Sequence, residues 1–258
     1  MLDKIVAKTE ERLIEAKGNK SLDQLKEEVS KLDISDEFPF KEALRGPEIA
    51  IIAEVKKASP SKGLIAKDFD YIKIAKEYEQ AGASAISVLT EPYFFKGSND
   101  YLKEIAENVH IPILRKDFTI DEYMIYEAKT LGASAILLIV SILDDAQLKE
   151  YLELAHDLGL SAIVETHDAN EIKTAIDAGA EIIGVNNRNL ADFTVDINNS
   201  VNLRRFVRDD VLFISESGIK TAEDVRRLKE NNVDAVLIGE TLMKSDDKKA
   251  MILELKNA

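Results

Sequence analysis

Glu54 and Lys56 lie two residues apart at the end of an apolar run, Ile51-Ile52-Ala53-Glu54-Val55-Lys56. A strand alternates its side chains with period two, so this acid and base project from one face while Ala53 and Val55 turn to the other. A carboxylate and an ammonium paired in this way can exchange protons with a substrate or hold an anion. The next stretch, Ser59-Pro60-Ser61-Lys62-Gly63, is a loop of turn formers and hydroxyls. Two readings are open from this stretch alone: the lip of an active site, or a weak ion pair on the surface.

Similar residues end other apolar runs. Leu114 precedes Arg115-Lys116-Asp117-Phe118, Val164 precedes Glu165, and Val185 precedes Asn186-Asn187-Arg188. Ile214 leads into Ser215-Glu216-Ser217-Gly218, and Ile238 into Gly239-Glu240-Thr241. Each alone reads as the solvated start of a loop. Together, Glu54, Lys56, Lys116 and Glu165 would have to share one mouth, which is costly unless they serve a ligand or pair with one another.

The elements that must position them alternate from residue 48 onward. Apolar strand-like runs fall at 49–55, 85–89, 111–114, 135–140, 161–164, 181–185, 211–214 and 235–238. Helix-period stretches fall at 70–80, 101–108, 122–131, 145–158, 169–178, 201–207, 222–231 and 248–256. Eight strand–helix units predict a closed parallel (β/α)8 barrel, the TIM barrel, over residues 47–258. An internal echo supports it: Ala81-Gly82-Ala83-Ser84-Ala85-Ile86 recurs as Leu131-Gly132-Ala133-Ser134-Ala135-Ile136. Gly159 and Gly179 repeat the theme, each suiting a left-handed turn at a helix end. A doubly wound open sheet would carry a glycine-rich first βα turn, and Ala58-Ser59-Pro60-Ser61 lacks it.

Residues 1–46 read as a helical extension packed on the barrel, all within a single domain. Ile5, Leu13 and Ile14 recur at helical spacing, Ser21 and Gln24 form a capping box for a second helix reaching about residue 32, and 40–44 suggests a short helical turn. In a barrel of this kind the loops after strands seven and eight commonly hold phosphate through backbone N–H groups. Ser217-Gly218-Ile219-Lys220-Thr221 and Gly239-Glu240-Thr241 occupy those places, with Ser59 able to close from the other side. Ordinary tight turns are the competing reading.

Composition narrows the classes. The 258 residues are 45% hydrophobic and 32% charged, which suits a globular protein with one large core. A net charge of −14 argues against broad nucleic-acid binding, and no run reaches membrane-spanning length. The absence of cysteine excludes disulfides and thiolate metal sites and fits the cytoplasm. His110, His156 and His167 share no metal-ligand spacing and read as ordinary surface or loop residues.

These residues together resemble the indole-3-glycerol phosphate synthase family. The resemblance rests on Phe40-Lys41-Glu42-Ala43-Leu44, on Ile52-Ala53-Glu54-Val55-Lys56-Lys57-Ala58-Ser59-Pro60-Ser61, and on Leu114-Arg115-Lys116-Asp117-Phe118. Gly184-Val185-Asn186-Asn187-Arg188-Asn189-Leu190 and Ser215-Glu216-Ser217-Gly218-Ile219 complete it, and the N-terminal helices are also a family trait. It implies ring closure of 1-(2-carboxyphenylamino)-1-deoxyribulose 5-phosphate with loss of carbon dioxide and water. Lys116 is then the general acid, Lys56 with Arg188 holds the substrate carboxylate, and Glu165 serves a later proton transfer. Glu54 offsets charge on the ring nitrogen and orients the lysine, while Asn186, with Glu216 and Ser217 nearby, holds sugar hydroxyls. Phe118 and Leu137 wall the aromatic ring, and Ser59, Gly218, Gly239 and the Glu240 backbone hold the phosphate. Glu240 stands where family members often carry a small hydroxyl residue. The implied partner is a phosphorylated small molecule, without metal or organic cofactor, nucleic acid or membrane, and the expected state is a monomer. A phosphoribosyl isomerase or a non-catalytic binding barrel would share the fold and the phosphate loops. Neither needs the Glu54–Lys56 pair beside Lys116.

Overall fold

The computed structural model describes residues 1–189 and 193–258; Leu190, which ends one of the motifs above, lies outside the described residues. Eight parallel strands close on themselves: β1 (Ala50–Val55), β2 (Ala85–Leu89), β3 (Ile113–Lys116), β4 (Ala135–Ile139), β5 (Ser161–Thr166), β6 (Ile182–Asn186), β7 (Leu212–Glu216) and β8 (Ala235–Ile238). Each pairs with the next, and Ala50 to Ala53 of β1 lie opposite Ala235 to Ile238 of β8, completing the barrel. The expected architecture is the one observed.

Alternation along the strands sorts two apolar cores. Ala50 and Ile52 turn inward with Ala85, Leu114, Ala135, Leu137, Ile163, Ile182, Ile214 and Leu237. Ile51, Ala53 and Val55 turn outward, with Ile86, Val88 and Val236, against the helix layer. Ala53 and Val55 therefore face as the period-two argument requires. The outer layer comprises α4 (Tyr71–Gln80), α5 (Asn99–Ala106), α6 (Glu122–Thr130), α7 (Asp145–Asp157), α8 (Ala169–Asp177), α9 (Asn198–Leu203), α10 (Ala222–Glu230), α11 (Glu240–Lys244) and α12 (Lys248–Lys256), preceded by α1 (Leu2–Asn19), α2 (Leu22–Val29) and α3 (Pro39–Ala43). The echoed glycines Gly82 and Gly132 take φ of 82° and 85°, turning the chain left-handed from helix into strand.

Several boundaries differ for one physical reason. β3, β5, β6 and β7 run one or two residues beyond their apolar runs, so Lys116, Glu165, Asn186 and Glu216 belong to the ladder. Leu89 pairs with Lys116, Ile139 with Glu165, and Asn186 with Glu216. The backbone goes on pairing after the inward side chains have become polar. The 59–63 loop is a small hairpin, Ala58–Ser59 against Gly63–Leu64, and α11 follows β8 where no helix was expected. The 201–207 stretch begins earlier, at Asn198, and ends in a 3-10 turn at Arg204–Phe206.

The extension packs on the barrel at both ends. Phe40 of α3, fully buried, and Leu44 join the inner core at the N-terminal end. Leu13 of α1 and Leu25 of α2 pack on Tyr123 and Met124 of α6, and the Ser21–Gln24 capping box forms as expected. Ile14 is a correction, being exposed, because the buried stripe of α1 is Ile5, Thr9 and Leu13. The Arg12 guanidinium grips Asp117, just past β3, through two hydrogen bonds of 3.0 and 2.9 Å. Among the described residues, no helix is long and apolar enough to cross a membrane.

Candidate active site

The inward register that fills the barrel with Ala50 and Ile52 continues to Glu54 and then Lys56, which pair at 2.5 Å. The same logic lifts Lys116 above Leu114, Glu165 above Ile163, Asn186 above Gly184 and Glu216 above Ile214. Lys116 Nζ lies between two carboxylates, 2.9 Å from Glu165 Oε2 and 2.6 Å from Glu216 Oε2. Asn186 Nδ2 donates to the other Glu165 oxygen at 3.1 Å.

Burial would strip the proton from Lys116, but Glu165, Glu216 and Glu54 override it and hold the ammonium well above its ordinary pKa. Glu165 is also penalised by burial, yet Lys116 and His167 keep it below the usual carboxylate range. Glu216 goes the other way. Burial is the main cause, Lys116 opposes it, and Glu165 adds repulsion, so the group is pushed up to about 7. Its Oε1 is buried without a hydrogen-bond partner. That oxygen occupies the space a Cβ on Gly184 would take, and a Cβ on Gly239 would collide with Glu54 and Lys56. Both glycines therefore leave room for carboxylates.

The rim is built on the following loops. Asn187 is buried and donates to the Ser217 carbonyl at 3.0 Å and to Ser215 Oγ at 2.9 Å, while Ser200 donates to its oxygen. These bonds pin a turn in which Ser217 and Gly218 are both left-handed, at φ 68° and 87°. Thr241 Oγ1 donates to the Ile219 carbonyl at 2.7 Å and so ties the β7 loop to the β8 loop. Glu240 pairs with Lys244 at 2.6 Å and lies 3.9 Å from Lys62 of the hairpin. Arg188 donates its backbone N–H to Asn186 Oδ1 and reaches the Phe193 carbonyl at 3.4 Å.

A single cavity of about 600 Å³ gathers these groups at the C-terminal mouth. Its lining includes all fourteen residues singled out in the sequence: Glu54, Lys56, Ser59, Lys116, Phe118, Leu137, Glu165, Asn186, Arg188, Glu216, Ser217, Gly218, Gly239 and Glu240. Phe95 was missed; its ring lies 6.0 Å from that of Phe118 and extends the apolar wall. Met1, Leu2 and Ile5 of the extension also line the cavity, a placement that no local pattern in α1 reveals. His167 lies in the loop just past β5, as one of its two expected readings has it, but it is not at the surface. Its side chain is only 20% exposed, Nε2 lies 3.6 Å from Glu165 Oε1, and Nδ1 lies 3.0 Å from Glu171. Its position two residues after Glu165 on a strand end was the available signal.

A closed parallel barrel with an acid–base cavity at the C-terminal mouth and glycine loops after β7 and β8 defines a (β/α)8-barrel enzyme. The family model "Indole-3-glycerol phosphate synthase" matches residues 2–255. Proteins of that description from Ruminiclostridium cellulolyticum and Endomicrobium trichonymphae are 54% and 56% identical, over 100% of this chain and 99% and 100% of theirs. The chain belongs to the indole-3-glycerol phosphate synthase family, carboxy-lyases of tryptophan biosynthesis that act on a phosphorylated sugar derivative. Among solved structures, 3-hexulose-6-phosphate synthase from Salmonella typhimurium shares the fold. Its TM-score is 0.66 at 15% identity, covering 81% of this chain and 97% of that one. N-acetylmannosamine-6-phosphate 2-epimerase from Clostridium perfringens does likewise, with a TM-score of 0.60 at 17% identity over 77% and 89% of the two chains.

Proposed function

We propose that this cavity closes the ring of 1-(2-carboxyphenylamino)-1-deoxyribulose 5-phosphate, expelling carbon dioxide and water through lysine and glutamate acid–base chemistry. The observation that carries it is Lys116, held protonated between Glu165 and Glu216 inside the mouth. Its Nζ–H protonates the substrate carbonyl as the carboxyl-bearing ring carbon attacks, and the carbonyl becomes a hydroxyl. Lys56, exchanging Glu54 for the substrate carboxylate, holds that group with Arg188 until carbon dioxide departs and the ring regains aromaticity. Glu54 faces the positive charge that develops on the ring nitrogen. Glu165 and Lys56 serve the dehydration that follows, and Asn186, with Glu216 and Ser217, orients the sugar hydroxyls.

Phe118 and Leu137, joined by Phe95, wall the aromatic ring. The phosphate rests on the linked loops at Gly218 and Gly239–Glu240, with Ser59 on the opposite side. Extension and barrel work as one domain, an assignment supported by the Arg12–Asp117 clasp and by the shared cavity lining. The reading includes a monomer acting in the cytoplasm, which a cysteine-free composition favours.

The chain has no tryptophan, so rising indole fluorescence in a reaction mixture reports product alone. Purified protein, the deoxyribulose phosphate substrate and a metal chelator should give a rising signal. A flat trace from folded protein would overturn the reading.

A further inference from the structure

His167 takes no part in the chemistry above, although it follows Glu165 by two positions, just past the end of β5. Three contacts fix it from outside. Glu171 of α8 accepts its backbone N–H at 2.7 Å and lies 3.0 Å from its Nδ1, and Asn199 of α9 donates to its carbonyl at 3.3 Å. The far side of the ring has no such partner. Nε2 is buried and unbonded, 3.6 Å from Glu165 Oε1, too far for a hydrogen bond but within ion-pair reach. A buried ring nitrogen left unpaired in this way is unfavourable unless it gains a partner during function.

The surroundings favour an imidazolium. Burial alone would lower the His167 pKa, but Glu171, Glu165 and Glu216 override it and hold it above the ordinary histidine value. With Nδ1–H directed to Glu171, Nε2–H is left facing Glu165, whose other oxygen is bonded to Lys116. Once Lys116 has given its proton to the substrate it is neutral, and Glu165 loses the cation that keeps it ionised. Tightening of an apo contact as the reaction proceeds is common among catalytic hydrogen bonds.

We propose that His167, oriented by Glu171, is a positioning residue for Glu165, its Nε2–H closing on Glu165 Oε1 to hold that carboxylate ionised and aligned after Lys116 has discharged its proton. This rests on the reading of Glu165 as the acid–base group of the later step. No proton leaves His167 in this role.

The test compares His167→Gln, Glu171→Gln, Glu165→Gln and the His167→Gln/Glu165→Gln double variant by indole fluorescence across pH, alongside thermal unfolding. His167→Gln should lower kcat by about tenfold with KM changed less than about twofold, short of the ~10²–10⁴-fold expected for an acid–base group itself. Wild-type kcat should fall as pH rises through the His167 titration, and this limb should be missing in His167→Gln. The glutamine of Glu171→Gln can still accept the His167 backbone N–H, so the helix start is kept, and the limb should move to lower pH. If His167→Gln does not fold, that shift decides the matter. The double variant should be no slower than Glu165→Gln, since the pair acts as a unit. Wild-type kcat and pH profile in His167→Gln, or an unmoved limb in Glu171→Gln, with Glu165→Gln inactive, would overturn the proposal alone. Normal turnover in Glu165→Gln would instead overturn the reading beneath it.

Discussion

Replacing Lys116 by methionine keeps a long side chain but removes the cation that faces Glu165 at 2.9 Å and Glu216 at 2.6 Å. The two carboxylate side chains are only 5% and 2% exposed, so water does not replace the lost partner. Breaking a buried pair from one side costs roughly 3–5 kcal/mol. With roughly 2–4 °C of melting temperature per kcal/mol in a domain of this size, the expected drop at pH 8 is roughly 6–20 °C. The sign of the pH dependence follows from which groups change. Without Lys116, burial and mutual repulsion raise both carboxyl groups above their unfolded value of about 4.3. A group with a raised folded pKa contributes stability that is full below the unfolded value and is lost as pH rises through the folded one. The deficit of the variant should therefore shrink between pH 8 and pH 5. Turnover should fall by ~10²–10⁴-fold, while a product-like anion still binds. Thermal unfolding at three pH values and the fluorescence assay check both. An equal deficit at pH 5 and pH 8, or near-normal turnover, would refute the reasoning.

Gly239→Ala should cut kcat/KM by roughly tenfold to a hundredfold through a displaced Glu54–Lys56 pair. Its φ of −114° suits alanine, but crowding the buried Glu54 should also cost roughly 1–3 kcal/mol in urea unfolding. Arg12→Ala leaves buried Asp117 with Thr90 and the more distant Arg115, and should lose about 1.5–3 kcal/mol at pH 7 by urea titration. Arg12 and Arg115 hold Asp117 below the usual carboxylate range against its burial, so that deficit is present above the unfolded pKa and fades as pH falls toward the folded one. Glu216→Gln removes a carboxylate that helps hold both Lys116 and His167 protonated, so the fall of kcat with rising pH should begin at lower pH than in the wild type. An unmoved limb would mean that Glu216 does not support the cations of the site.

The barrel was legible because its signal is repeated: eight apolar runs, with glycines such as Gly82 and Gly132 marking where each helix turns back. The strand ends were less so. Lys116, Glu165, Asn186 and Glu216 are polar and resemble loop residues, yet their backbones still pair because the barrel continues beside them. The hairpin at 58–64 and α11 are held by distant partners, such as the β7 loop that accepts from Thr241, and no local pattern announces them. The site residues were readable as types at strand ends. The contributions of Met1, Leu2 and Ile5 were not, because the pose of α1 depends on Arg12 meeting Asp117 far along the chain. His167 carries no metal-ligand spacing and no local pattern beyond its place after Glu165. Its two carboxylate neighbours come from a strand end and a helix start that only the β5–α8 turn brings together.

On the proposed function, a chain of net charge −14 takes a multiply anionic substrate and must present cations without leaving them bare. Burial would neutralise an isolated Lys116, so its positive charge persists only because carboxylates accompany it. Lys56 is likewise matched by Glu54, and Lys62 lies near Glu240. On the proposed mechanism these glutamates hold the places the substrate will take. Exchanging one carboxylate for another at a lysine avoids the large desolvation cost of uncovering a buried charge. Glu216, pushed up to about 7 with one oxygen unpartnered, can accept a proton near neutrality and so lower the negative charge of the mouth as the phosphorylated anion enters. On the proposed mechanism, the carboxylates that seem to oppose an anionic ligand are thus what keeps Lys116 charged until it binds.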